Sequence, residues 1–340
     1  MKFRIVLLLT FCPIAIGCPQ KHMTESPSKV NGVSFVASRE VATQPHVDAV
    51  LKLNANYAAV MPFGFIRNLE TPEIIFDTER QWFGETKAGA KQYIEVLHGN
   101  QLKVMLKPQI WIWRGEFTGY LKMNTEEEWK ALEDSYRSFI MAYAQLAAEM
   151  KVEILCIGTE LEQFIVGRPQ YWMELISEIK KVYPGKLTYA ANWDEYKRVP
   201  FWKELDFIGV DAYFPISENQ TPTIAEARLG WQRWKEEMKG VSEREHKNIL
   251  FTEYGYRSVD FAGKEPWKSN RDMNQVNLVA QSNLTTALFD EIYGEAWYAG
   301  GFIWKWYINH KEVGGADNAR FTPQNKPAEG VIREHFRTNY

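Results

Sequence analysis

A chain of 340 residues that is 45 % hydrophobic and 14 % aromatic can fill one large core, and its 13 Trp and 16 Tyr leave aromatics over to line something else. The formal charge is −3 and no basic run stands out, so electrostatics offers no basis for binding nucleic acid or an anionic membrane surface; a neutral partner is expected. The six histidines lack metal-ligand spacing, and no dinucleotide, Walker, H-E-x-x-H or G-x-S-x-G motif occurs, so neither a metal nor an organic cofactor is expected.

Residues 1–17 hold Lys2, Arg4, an apolar segment from Ile5 to Ile16 and small residues ahead of a cysteine, which is the layout of an export signal. The string Ala15-Ile16-Gly17-Cys18 resembles a bacterial lipobox, in which Cys18 becomes the acylated first residue of a cell-envelope lipoprotein. The alternative is an ordinary signal peptide with an incidental cysteine. Residues 18–29 are polar and Pro-containing, as suits a tether between anchor and domain. With Cys12 in the signal and Cys18 at the anchor, Cys156 is left alone, so no intramolecular disulfide forms and Cys156 reads as a small buried hydrophobe.

From residue 32 onward, short apolar runs alternate with helical patterns. Strands are expected near Gly32–Ala37, Tyr57–Met61, Lys103–Lys107, Ile154–Thr159, Leu187–Asn192, Phe207–Asp211, Ile249–Glu253 and Gly301–Trp306. Helices are expected over Gly84–Leu97, Thr125–Met150, Gln170–Val182, Ile224–Lys239, Gln275–Tyr293 and Pro327–Phe336, with the acids after Asn124-Thr125 marking a capped start. Eight such units without an internal linker make an α/β fold, a single (β/α)8 TIM barrel spanning residues 30–340, expected to be a monomer.

Strand parity assigns faces, because successive side chains point to opposite sides. Met105, Lys107, Gln109, Trp111 and Trp113 share the lumen side of strand three, as do Cys156, Gly158 and Glu160 in strand four. Gly209, Asp211 and Tyr213 group in strand six, Phe251 and Glu253 in strand seven, and Phe302, Trp304 and Trp306 in strand eight. The polar or aromatic residue falls at the C-terminal end, where barrel enzymes carry their sites.

Glu160 and Glu253 each end a buried strand, three βα units apart. Two carboxyls across a barrel mouth can hydrolyse a glycoside when one is a protonated acid and the other an ionised nucleophile; retention needs them about 5 Å apart. A solvated or ion-paired acid is the bland reading of either one alone. A polysaccharide also wants aromatic platforms for its sugar faces: Trp304 as the floor, with Trp111, Trp113, Trp193 and Trp306 at neighbouring subsites. Trp231 and Trp234, three apart on a helix, read as packing instead. Of the histidines, only His310 is placed to meet a substrate.

The strings G-T-E-L-E (158–162), G-V-D-A-Y-F-P (209–215), F-T-E-Y-G-Y (251–256) and F-T-P-Q-N-K-P-A-E (321–329) resemble glycoside hydrolase family 113, within the large clan of retaining barrel glycosidases. The resemblance covers roughly residues 30–337 and implies chiefly endo-β-1,4-mannanase activity on a β-linked oligo- or polysaccharide. It further implies that Glu160 is the acid/base and Glu253 the nucleophile, with Tyr213 donating to Glu253. The wider clan commonly has an Asn before its acid/base, contacting the sugar 2-hydroxyl; here Thr159 stands there, and either a group elsewhere, such as Asn192, takes over that contact or the contact is weaker.

Glu162 is expected either as a carboxylate that raises the pKa of Glu160 or as a loop acid. Asp211 and Lys107 either bond sugar hydroxyls or pair with each other; a Schiff-base role for the lysine leaves the two glutamates unexplained. A related β-glycosidase acting on another hexoside and a non-catalytic sugar-binding lipoprotein are the alternatives, separated by incubation with a panel of oligosaccharides.

Overall fold

The computed structural model describes residues 29–269 and 275–338. The expected export signal, the Cys18 anchor and all but the last residue of the tether lie outside the described residues. Eight parallel strands close into a barrel in chain order: β1 Val30–Phe35, β2 Tyr57–Val60, β3 Lys103–Leu106, β4 Ile154–Thr159, β5 Lys186–Asn192, β6 Ile208–Asp211, β7 Ile249–Tyr254 and β8 Tyr298–Trp306.

Such strands are buried on both faces, which is why they read as short apolar runs. Val30, Ala59, Met105, Ile154, Cys156, Ala190, Leu250 and Phe302 fill the lumen as one cluster. Their neighbours, among them Val33, Val104, Leu155, Ile157 and Val210, pack outward against the helices. Gly32 makes room for the floor of the lumen: a Cβ there would stand 2.3 Å from the Phe302 ring.

The longest helix, Glu126–Glu149, shows why these segments are helical. Thr125 accepts from the Glu128 N–H at 3.2 Å while Glu128 Oε2 accepts from the Thr125 N–H at 3.0 Å, and three acids sit at the positive end of the dipole. Leu132, Tyr136, Phe139, Ile140 and Tyr143 then recur three and four apart and lie buried.

The structure departs from expectation in several places. A helix at Gln44–Lys52 follows β1 unannounced, because only Val47 and Val50 of its nine residues are buried and so few apolar positions define no period. The helix begun at Ile224 runs on to Glu245, since Val241 and Ser242 are also buried, and the one expected from Gln275 begins at Leu278, capped by Asn277. No α-helix follows β5 among the described residues; a 3-10 turn at Trp202–Glu204 takes its place.

A separate three-stranded sheet also forms from Phe63–Ile66, Ile75–Phe76 and Gln109–Ile112. Pro62 and Pro108, which cannot donate to a ladder, mark where β2 and β3 leave the barrel and their continuations pair with each other instead.

Candidate active site

Glu253 lies near the end of β7, buried, with both oxygens engaged. Oε1 accepts from Lys107 Nζ at 2.5 Å and from Gln109 Nε2 at 3.0 Å, while Oε2 accepts from the Tyr213 hydroxyl at 2.8 Å. The donors come from just after β3, from its continuation and from the segment after β6, so elements on both sides of the barrel mouth fix the direction of one carboxyl.

Glu160 follows the last residue of β4. Its N–H still donates to Ala190 of β5 at 2.8 Å, but its φ of 48° ends the strand and turns the chain away. No side chain donates to its carboxyl among the described residues. Burial, then the nearby carboxylates of Asp211, Glu253 and Glu195, hold it well above the usual carboxylate range; the Lys107 ammonium opposes them and does not prevail. A carboxyl that holds its proton more tightly than usual thus shares a site with one whose two oxygens are held in place by donors.

Lys107 and Asp211 do not contact a ligand space. Both are essentially unexposed, and Lys107 Nζ donates to Asp211 Oδ1 at 3.2 Å. Burial alone would depress the lysine, but Asp211 and Glu253 outweigh it and hold the ammonium above the ordinary lysine range. Asp211 is pushed up to about 7, first by burial and then by Glu253, although Lys107 and the Thr252 hydroxyl (2.7 Å) favour its ionised form. Of the two expected roles, mutual pairing is the one observed, and the sugar-contact role is corrected.

A cleft of about 610 Å³ joins the two glutamates to Tyr213, Asn192, Trp193, Trp304 and Glu162. The Asn192 Oδ1 accepts from the Trp193 N–H at 2.8 Å, which orients its amide group at the cleft wall. Trp193 stacks on Trp267, with centroids 5.1 Å apart and planes at 17°, and Phe117 meets Tyr120 edge-on at 5.2 Å. All four line the cleft, so it has aromatic walls.

Glu162 reaches the cleft but opens a short helix, Glu162–Gly167, instead of continuing β4, and its carboxylate accepts from Arg198 Nε at 2.7 Å. Of its two expected roles, that of raising Glu160 is not seen: the carboxylates that raise Glu160 are Asp211, Glu253 and Glu195.

Trp306 is wholly buried in the outer layer, where its ring lies 5.4 Å from that of His310. The alternation that grouped it with Trp304 breaks because Val33 and Phe35 of β1 pair with Ile303 and Trp306, leaving one extra residue on β8; the Trp304–Lys305 peptide within that bulge is cis. Trp111 and Trp113 lie on and just after the Gln109–Ile112 strand, 49 % and 67 % exposed, and are not part of the cleft wall. His310 bonds Glu329 at 3.0 Å and lines a different groove. Cys156 sits in the lumen, where burial pushes its thiol up to about 11, and the Thr159 hydroxyl is buried beside it without a nitrogen or oxygen partner.

Sequence reasoning passed over several residues of the site. Gln109 was grouped by parity with Lys107, a signal that could have nominated it as a second donor to Glu253. Glu195, Phe117, Tyr120 and Trp267 sit in connecting segments, where no periodicity fixes direction. Among the described residues, no three His, Cys, Asp or Glu side chains are grouped to hold a metal ion.

Comparison with known proteins places these features in context. The family model for Glycoside Hydrolase Family 113 matches residues 36–326. Among solved structures, the GH113 β-mannanase AaManA from Alicyclobacillus acidocaldarius, in complex with ManMIm, superposes with a TM-score of 0.80 at 23 % identity, covering 92 % of this chain and 98 % of that one. A complex of a GH113 β-1,4-mannanase gives 0.80 at 22 % identity, covering 92 % and 99 %. A Faecalibacterium prausnitzii β-glucuronidase shares the fold at 0.59 and 14 % identity, over 92 % of this chain and 49 % of that one. No curated protein matches the chain in sequence.

Proposed function

The chain belongs to glycoside hydrolase family 113 and is a glycoside hydrolase; from that premise we propose that it cleaves β-1,4-mannosidic linkages with retention, through a covalent glycosyl-enzyme. The observation that carries the reading is the contrast between Glu160 and Glu253 within one cleft: the first raised well above the usual carboxylate range by burial and neighbouring carboxylates, the second aimed by three donors. Glu160 gives its proton to the leaving oxygen as Glu253 attacks the anomeric carbon. Glu160, now ionised, takes a proton from the water that releases the sugar and returns to its starting state.

Lys107, Gln109 and Tyr213 keep the attacking carboxylate in one direction, so little reorganisation accompanies bond formation. Trp304 forms the floor at the reacting sugar, Asn192 offers an amide to its hydroxyls, and Trp193 with Trp267 stacks a sugar further along. Mannose as the sugar is supported by the β-mannanases of the same family with similar folds. No metal or cofactor enters this scheme.

Incubation with mannan, glucomannan, xylan and cellulose oligosaccharides tests the reading. Hydrolysis of the mannans that is abolished in a folded Glu253→Ala variant is expected; undiminished turnover by that variant overturns it. We also propose export and a lipid anchor at Cys18. Fatty-acid labelling of the wild type that is lost in Cys18→Ser supports this, and absence of label in both refutes it.

A further inference from the structure

Glu195 stands in the turn after β5, wholly unexposed, without a place in the chemistry above. Its Oε1 accepts from the Tyr189 hydroxyl at 2.6 Å and its Oε2 from the Asn192 N–H at 2.9 Å. The Tyr189 oxygen in turn accepts from the N–H of Leu161, the residue after Glu160, at 2.6 Å. The Tyr189 ring cannot swing away: Trp172, Phe201 and Trp202 pack around it with centroids 5.9, 5.6 and 6.2 Å distant. Gly158 lets β4 approach that ring, since a Cβ there would lie 3.0 Å from it.

We propose that Glu195 is a positioning residue for Glu160, acting through Tyr189 and the Leu161 amide to set the left-handed turn that presents the Glu160 carboxyl to the cleft. The inference rests on the reading of Glu160 as acid/base. A left-handed residue other than glycine needs its neighbours to hold it; here the Glu160 N–H is held by Ala190 and the next N–H, that of Leu161, by Tyr189. Without the Glu195 carboxylate, the Tyr189 hydroxyl loses its acceptor and its fixed direction. The Asn192 amide loses its acceptor as well, so the same carboxylate ties the end of β5 to the turn after β4.

Charge gives the network a second effect. Glu195 is pushed up to about 8 by burial, against the pull of its Tyr189 and Asn192 bonds; Glu162, itself paired with Arg198, and Asp211, paired with Lys107, add to the rise. Glu160 faces Asp211, Glu253 and Glu195 as like charges and Lys107 as the opposing one. Where Glu195 is ionised, it opposes loss of the Glu160 proton, so it holds the alkaline limb of the pH–rate profile higher than it would otherwise lie.

The test compares full-length wild type, Glu195→Gln, Tyr189→Phe and Glu160→Ala on a manno-oligosaccharide and on an aryl mannoside with a nitrophenol leaving group, from about pH 4 to 10. Glu195→Gln is expected to lower kcat on the oligosaccharide about tenfold, to spare the aryl substrate, and to move the alkaline limb down by about half a unit or more. Tyr189→Phe, which keeps the charge, should share the selective kcat loss and leave the limb in place. Equal losses on both substrates with an unmoved limb in Glu195→Gln overturn the inference. Should that variant not fold, equal losses on both substrates in Tyr189→Phe do the same. An alkaline limb that survives Glu160→Ala overturns the acid reading and this inference with it; a limb lost in Glu160→Ala yet unmoved in Glu195→Gln overturns this inference alone.

Discussion

Replacing Lys107 by Met leaves two carboxyls facing each other without their cation. The ammonium is unexposed and lies 2.5 Å from Glu253 Oε1 and 3.2 Å from Asp211 Oδ1. At an effective dielectric of about 20, attractions over such distances come to roughly 5–7 kcal/mol each. Desolvation of the ammonium offsets most of that, and removing one side of a buried pair leaves a net loss of about 3–5 kcal/mol.

The loss should depend on pH. Asp211 sits at about 7 in the fold against 3.8 for the free side chain, so its contribution to stability is fully present below the lower value and is lost as pH rises toward the upper one. Without Lys107 its ionisation is opposed further, and the variant should be hurt more at neutral than at acid pH. Urea titration followed by tryptophan fluorescence at about pH 5 and about pH 7.5 measures both, and adding Asp211→Asn should recover part of the loss. A loss under about 1 kcal/mol, or one equal at the two pH values, would refute the reasoning.

Three further outcomes are expected. Tyr213→Phe removes the donor to Glu253 Oε2 and should lower kcat about tenfold to a hundredfold with the melting temperature nearly kept; steady-state kinetics beside a thermal melt decides it. Trp267→Ala unstacks Trp193 at the cleft wall, so KM for long oligosaccharides should rise about fivefold or more while a short aryl glycoside is unaffected. Thr125→Ala removes the cap of the Glu126–Glu149 helix and should cost about 1 kcal/mol in urea titration without changing kcat.

The barrel was legible because parallel strands buried on both sides leave compact apolar runs, and because Glu160, Asp211 and Glu253 end three of them. That Tyr213 donates to Glu253 was implied by the family resemblance and not by the residue pattern. Parity misled at Trp306, where one extra residue on β8 reverses the faces, and at Phe251, which packs outward while Leu250 fills the lumen because the register shifts between Phe251 and Glu253; it also carries no statement about depth, so Lys107 and Asp211 read as rim residues although they are sealed below the cleft. The side sheet was hidden because Pro62 and Pro108 looked like ordinary strand ends. Glu195 was invisible for a different reason: it lies in a connecting segment where no periodicity fixes its direction, and its link to Glu160 runs through Tyr189 to Leu161, which is distant in sequence and joins them only in the folded chain.

The central claim is that Glu253 attacks the anomeric carbon and Glu160 serves first as acid and then as base. Proton NMR of a manno-oligosaccharide digest in its first minutes reports the configuration of the newly formed reducing end before mutarotation obscures it. A β-anomer released first is the result this account predicts, and an α-anomer released first would contradict it.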